Sequence, residues 1–170
     1  MNRRKFLIKS NTYILSSYWA LRASEAAVPA LETLLPFTAE SPAGIRKMHS
    51  GKPFVLAFWS IYCEPCRDEM AEWNAVKNKL PALPVLLVST DTPADAAMIA
   101  AFFVKYPPGA VQKWVFADRF TERVRYAVDK SWRGEMPKSY YFDAAHKVDI
   151  KSGKMDRAWI ESWAAKQGVR

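Results

Sequence analysis

Cysteine is nearly absent from this 170-residue chain, which carries 2. That scarcity excludes a disulfide-dense scaffold and a four-cysteine zinc site. Histidine is equally scarce at 2, so His49 and His146 are the remaining nitrogen ligands for a metal, and they stand at no ligand-like spacing. No run of about twenty apolar residues occurs, and a spanning helix is not expected. Internal repeats and a second domain boundary are also lacking. What is present is 50% hydrophobic and 14% aromatic residues, too apolar for a disordered chain and of a length that suits one globular domain.

The net charge of +8 suggests a nucleic-acid footprint until its location is considered. Residues 1–26 hold Arg3, Arg4, Lys5, Lys9 and Arg22 against Glu25, so half of the excess lies in that segment. The remainder is spread without a dense basic stripe for a phosphate backbone, and no nucleic-acid partner is expected.

The N-terminus reads as an address. A basic segment from Asn2 to Lys9 precedes a moderately apolar stretch over 13–21, and Ser24-Glu25-Ala26 supplies small residues before a cut after Ala26. That order is the pattern of an export signal. Arg3-Arg4 followed by Phe6-Leu7-Ile8-Lys9 resembles a bacterial twin-arginine signal. The expected organisation is a signal peptide over 1–26, a lead-in over 27–49 and one folded domain over 50–170, in a periplasmic protein. An uncleaved basic arm lying on a membrane surface is the alternative.

Beyond the signal, 27–40 reads as an extended Pro- and Ala-rich lead-in. Ser41-Pro42 places a cap and a first-turn proline before a short helix over 43–48. The continuous apolar run 53–60 predicts a strand buried on both faces, as does 84–89. Between them, Met70, Trp73, Val76 and Leu80 recur at helical spacing over 64–80. Thr92-Pro93 opens another helix that Pro107-Pro108-Gly109 ends near Tyr106. A short strand over 112–117 and a helix over 121–128 follow. Strands over 140–143 and 147–150 form a hairpin, although Ala144-Ala145 is unfavourable turn chemistry. Asp156 caps a final helix over 157–167. The fold class is α/β, with strands and helices alternating before a terminal hairpin and helix.

The chemistry concentrates at Cys63-Glu64-Pro65-Cys66, between the first buried strand and its helix. A cysteine at a helix N-terminus meets unpaired N–H groups and the positive end of the helix dipole, both of which favour thiolate. Pro65 suits the first turn, where no N–H is needed. Cys63 therefore reads as the exposed nucleophile and Cys66 as the resolving thiol. A purely structural disulfide across so short a loop would remove little unfolded-chain entropy, so redox chemistry is the expected use of the pair.

The segment Phe58-Trp59-Ser60-Ile61-Tyr62-Cys63-Glu64-Pro65-Cys66-Arg67-Asp68-Glu69-Met70 resembles the active-site segment of the TlpA/ResA-like family of exported thioredoxin-fold thiol–disulfide oxidoreductases. Gly134-Glu135-Met136-Pro137, just before a strand, is similar to the cis-proline turn of the thioredoxin fold. The resemblance covers residues 50–165 and implies a thioredoxin-like fold with a central mixed β-sheet flanked by helices. It implies that Cys63 attacks, Cys66 resolves and the two form a redox-active disulfide. Pro137 would be the cis-proline, and Met136 would offer its backbone to an extended substrate segment. Trp59 matches the aromatic before the motif, and Trp132 would flank the substrate groove. Glu69 matches an acid that tunes the thiols or shuttles a proton; the alternative places Glu69 as a solvated helix charge.

The departures from cytosolic thioredoxin are Ala57 where that protein has a buried aspartate, Tyr62 in place of the commoner Trp, and Glu64-Pro65 between the cysteines. They fit the exported group better. The activity implied is protein-disulfide reduction outside the cytoplasm, without a cofactor or metal. Implied partners are protein thiols and disulfides, such as apocytochrome c or copper-site assembly proteins, and a membrane electron donor of the DsbD/CcdA type. A disulfide oxidase or isomerase would use the same site with a different potential. A Cu(I)-binding metallochaperone, with Cys63, Cys66 and Met136 or His146 as soft or borderline ligands, is the remaining alternative.

Overall fold

The structure, a computed structural model, describes residues 34–170; the signal expected over 1–26 lies outside the described residues, as does most of the lead-in before β1. The elements in order are β1 (Leu35–Phe37), α1 (Ser41–Met48), β2 (Phe54–Trp59), α2 (Glu64–Lys79), β3 (Val85–Ser89), a 3₁₀ turn (Pro93–Asp95), α3 (Ala96–Lys105), β4 (Gln112–Phe116), α4 (Thr121–Val128), β5 (Lys138–Phe142), β6 (Val148–Ser152) and α5 (Arg157–Lys166). The strands form one six-stranded sheet in the order β1-β4-β3-β2-β5-β6. β1, β4, β3 and β2 run parallel to one another, while β5 is antiparallel to β2 and β6 to β5.

The apolar run of β2 is buried at every position because it is a central strand with helices on both faces. Val55, Ala57 and Trp59 face one layer, where α2 contributes Met70, Trp73 and Val76, α3 contributes Ile99 and Phe103, and α5 contributes Ile160 and Trp163. Phe54, Leu56 and Phe58 face the other, against Ile45 of α1, Val124 of α4 and the aromatics Phe37, Phe116, Trp132 and Tyr140. This is the mixed sheet flanked by helices that the resemblance implies.

Three local features differ from the sequence reading. The lead-in forms β1, whose three residues pair with Trp114–Phe116; Pro36 sits at its centre, which an edge strand tolerates. The helix opened by Thr92-Pro93 begins as a 3₁₀ turn, with the Asp95 carboxylate accepting the Thr92 N–H at 2.9 Å, and α3 proper starts at Ala96. The hairpin strands are Lys138–Phe142 and Val148–Ser152, each displaced from the expected span. Asp143 Oδ1 organises the connection by accepting the N–H groups of Ala145 (2.9 Å) and Lys147 (2.8 Å). A side-chain acceptor thus does what Ala-Ala turn chemistry does not.

Candidate active site

Strand β2 ends at Trp59, and a turn over 60–62 delivers Cys63 to the head of α2. Cys63 is the N-cap, with φ −94° and ψ 101°, and its Sγ accepts the N–H of Cys66 at 3.3 Å. Its carbonyl also accepts the Cys66 N–H at 3.1 Å, and its own N–H donates to the Ser60 carbonyl at 3.1 Å. Cys63 and Cys66 are joined in a disulfide, with Cα atoms 5.2 Å apart. Cys63 is half-buried, whereas Cys66 is 0% exposed and packs with Trp59 and Met70. One sulfur is therefore open to a partner and the other is shielded, because the first helical turn points one cysteine at solvent and the next into the core.

The sheet brings a second segment to the same end. Phe58 pairs with Lys138 in the β2–β5 ladder, so Pro137 stands level with the last residue of β2, where the chain turns toward Cys63. The Met136–Pro137 bond is cis. Thr90, just past β3, donates its N–H to the Trp59 carbonyl at 2.9 Å and its hydroxyl to Met136 Sδ at 3.2 Å. Met136 packs against both core layers.

A polar cluster braces this proline turn. The Lys138 ammonium, 7% exposed, bonds to the Glu135 carboxylate and lies 3.8 Å from Asp129 Oδ2. Tyr140 Oη donates to Asp129 Oδ2 at 3.1 Å, and Arg133 N–H donates to Glu135 Oε2 at 3.0 Å. The bond from Lys138 holds the Glu135 carboxyl below its usual range.

Glu69 is 6% exposed rather than solvated. Burial pushes its carboxyl up to about 7, against a smaller opposing effect from the Met155 backbone N–H. It lines a small pocket with Ser139, Tyr141, Lys151 and Trp159. Cys66 and Glu69 lie three residues apart on α2, a spacing that places them on one helix face.

The two tryptophans proposed for the site are both core residues. Trp59 is 2% exposed, with ring centroids 4.8 Å from Phe102 and 4.9 Å from Phe103. Trp132 is 3% exposed, tilted on Phe58 at 4.6 Å, and its indole N–H donates to the Glu135 carbonyl at 3.0 Å. Both back the site from within the core. Tyr62, beside Cys63, is 76% exposed.

His146 lies elsewhere. Its ring stands 5.6 Å from Phe54, the first residue of β2, and its Nε2 lies 3.1 Å from the His49 carbonyl. Cys63 follows the last residue of β2, so the strand's length separates His146 from the thiols, and His146 drops out as their metal co-ligand. Among the described residues no group of three or more His, Cys, Asp or Glu is placed to hold a metal ion.

Sequence reasoning passed over Asp91, which is buried and accepts hydrogen bonds from Ser60, Ile61 and Ser89. Its only signal is a polar Ser89-Thr90-Asp91 run ending an apolar strand.

No protein-family model and no curated relative matches the chain. Solved structures do. A secreted Mycobacterium tuberculosis disulfide oxidoreductase homologous to E. coli DsbE aligns at 21% identity and TM-score 0.57, covering 71% of this chain and 85% of that one. A thiol:disulfide interchange protein of the thioredoxin family from Chlorobium tepidum aligns at 15% identity and TM-score 0.58, covering 72% and 83%. A thio-disulfide isomerase from Thermus thermophilus aligns at 20% identity and TM-score 0.53, covering 70% and 81%. The chain has the thioredoxin-like fold of these thiol–disulfide oxidoreductases, and it carries a CxxC disulfide at the head of α2.

Proposed function

We propose that this protein is an exported thiol–disulfide oxidoreductase that reduces disulfides in proteins outside the cytoplasm. The observation that carries the proposal is the pairing of a half-buried Cys63 at a helix N-cap with a fully buried Cys66 behind it. Export is supported by the basic and apolar pattern of residues 1–26 and by the secreted neighbour from Mycobacterium tuberculosis.

In the reduced protein, the Cys63 thiolate attacks one sulfur of a substrate disulfide. A Cys63–substrate disulfide forms, and the second substrate sulfur leaves as a thiolate that takes a proton from solvent. Cys66 then gives its proton to Glu69 and attacks Cys63 Sγ. The Cys63–Cys66 disulfide forms as the first substrate sulfur leaves, reduced. The two electrons have passed from the dithiol to the substrate. A carboxyl that titrates near 7 is matched to this proton transfer at ambient pH.

Met136 and the Pro137 turn offer backbone to an extended substrate segment. Trp59 and Trp132 shape that surface from beneath. Substrates of the apocytochrome c or copper-site assembly type, and a membrane donor of the DsbD/CcdA type that restores the dithiol, follow from the resemblance. The twin-arginine route follows from Arg3-Arg4.

The test is the reduction potential of the pair in the full-length chain. A value near or below about −220 mV supports a reductase, and a value near about −120 mV makes the protein a disulfide-forming enzyme. Failure of the pair to cycle between dithiol and disulfide overturns both.

A further inference from the structure

We propose that Asp91 is a positioning residue for the Cys63 thiol, gripping from the end of β3 the turn that carries the nucleophile. The inference rests on reading Cys63 and Cys66 as a redox-active dithiol. Asp91 is 7% exposed. Its Oδ1 accepts the Ser60 hydroxyl at 2.6 Å, and its Oδ2 accepts the Ile61 N–H at 2.9 Å and the Ser89 hydroxyl at 2.6 Å. Ser60 Oγ in turn accepts the Tyr62 N–H at 3.1 Å. Every residue between the end of β2 and Cys63 is thus tied to one carboxylate, directly or through Ser60.

The geometry follows from the sheet. Trp59 and Ser89 are partners at the ends of adjacent parallel strands, so a side chain two residues past Ser89 is in reach of the turn beyond Trp59. The Asp91 N–H donates back to Ser89 Oγ at 3.1 Å, which fixes the carboxylate from its own side. Thr90, between them, holds the Trp59 carbonyl and Met136 Sδ. The end of β3 therefore joins the cysteine turn to the proline turn.

The consequence for the thiol is specific. Cys63 benefits from the Cys66 N–H and the helix N-terminus only while it is held in its extended, non-helical cap conformation. The turn over 60–62 sets that conformation, and Asp91 removes the turn's freedom. In Asp91→Asn an amide NH₂ replaces one acceptor and faces a donor, so the grip loosens and the Cys63 pKa rises. Loss of a buried negative charge acting through space would instead lower it. The sign separates the two.

The experiment measures alkylation of the reduced full-length chain by iodoacetamide across pH, with Cys63 identified by peptide mass spectrometry. In Asp91→Asn the titration midpoint moves up and the rate at pH 6.5 falls about two- to fivefold, the range expected for a charge at a helix N-terminus. Ser60→Ala, which removes the Ser60 bonds to Asp91 and Tyr62 but leaves the Ile61 N–H on the carboxylate, moves the midpoint the same way by less. The double variant goes no further than Asp91→Asn, because both act through one network.

A midpoint unchanged or lowered in both variants, with a normal wild type, overturns the role of Asp91 and leaves the redox reading standing. A wild-type Cys63 that titrates like a free thiol near about 8.5 overturns the role of Asp91 alone, whereas a Cys63–Cys66 pair that does not cycle between dithiol and disulfide overturns both readings. Should Asp91→Asn fail to fold, Ser60→Ala decides alone: a raised midpoint supports the proposal, and an unmoved one ends it.

Discussion

Cys66 and Glu69 share the buried face of α2, one at 0% and the other at 6% exposure, three residues apart. Burial keeps the Glu69 carboxyl protonated up to about 7. Folding therefore favours the neutral acid, and the linkage has a definite sign. The contribution is fully present below the ordinary value of 4.5 and is lost as pH rises through about 7. Glu69→Gln removes that loss. Urea unfolding of the oxidised protein at pH 5 and pH 8.5 should show the wild type weakening by up to about 3 kcal/mol relative to the variant. Parallel pH profiles would mean that Glu69 titrates in the fold as it does in the unfolded chain.

The same substitution should slow turnover. Without an acceptor for the Cys66 proton, release of the mixed disulfide becomes limiting, and turnover at pH 7 falls at least about tenfold. A stopped-flow trace with a model protein disulfide should then resolve an accumulating Cys63–substrate adduct. Turnover equal to the wild type removes Glu69 from the proton path.

The unequal burial of the two sulfurs sets the behaviour of the single cysteine variants. Cys66→Ser leaves the accessible thiol without its resolver and should trap substrate as a stable mixed disulfide on non-reducing gels. Cys63→Ser should trap none, since Cys66 has no exposed surface. Equal trapping by both would contradict the assignment of nucleophile and resolver.

At the other end of the sheet, His49 is buried against Phe54, its ring stacked at 4.9 Å. Among the described residues its Nε2 has no hydrogen-bond partner. Burial, with lesser help from His146 and Lys52, lowers its pKa below 6.5. The stability it contributes is present above 6.5 and is lost as pH falls through the lowered folded value. His49→Phe keeps the stacked ring and removes the titration. Thermal unfolding at pH 7 and pH 5 should show a shallower acid decline in the variant.

Lys138 joins Glu135 and Asp129 across the proline turn from a nearly buried position. Lys138→Met leaves Asp129, 15% exposed, without its cation, and should cost about 1–3 kcal/mol. Tyr140 continues to donate to Asp129, which limits the loss. Equilibrium unfolding in urea measures it. An unchanged midpoint would show that the cluster contributes no net stability.

Much of the architecture is legible in the chain because its signals are local. An apolar run of strand length, a first-turn proline and aromatics at helical spacing locate β2 and α2 to within a residue or two. Asp156 as the cap of α5 is legible for the same reason, its carboxylate accepting the Trp159 N–H at 3.0 Å. The hairpin is harder, since its connection depends on Asp143 reaching forward to two N–H groups rather than on the residues at its tip. β1 leaves no local signal: three residues with a central proline become a strand only because β4 offers an edge.

At the site the division falls in the same way. Two cysteines at a helix N-terminus and an acid one turn later are readable from the chain, because helix geometry is local and a cap residue acts on its own first turn. Long-range packing is what buries Glu69 instead of leaving it solvated, turns Trp59 and Trp132 into the core and brings Asp91 to the turn before Cys63. Burial is a property of what packs over a residue. The Asp91–Ser60 contact spans 31 positions of sequence, a pairing that exists only once the ends of β2 and β3 have been laid side by side.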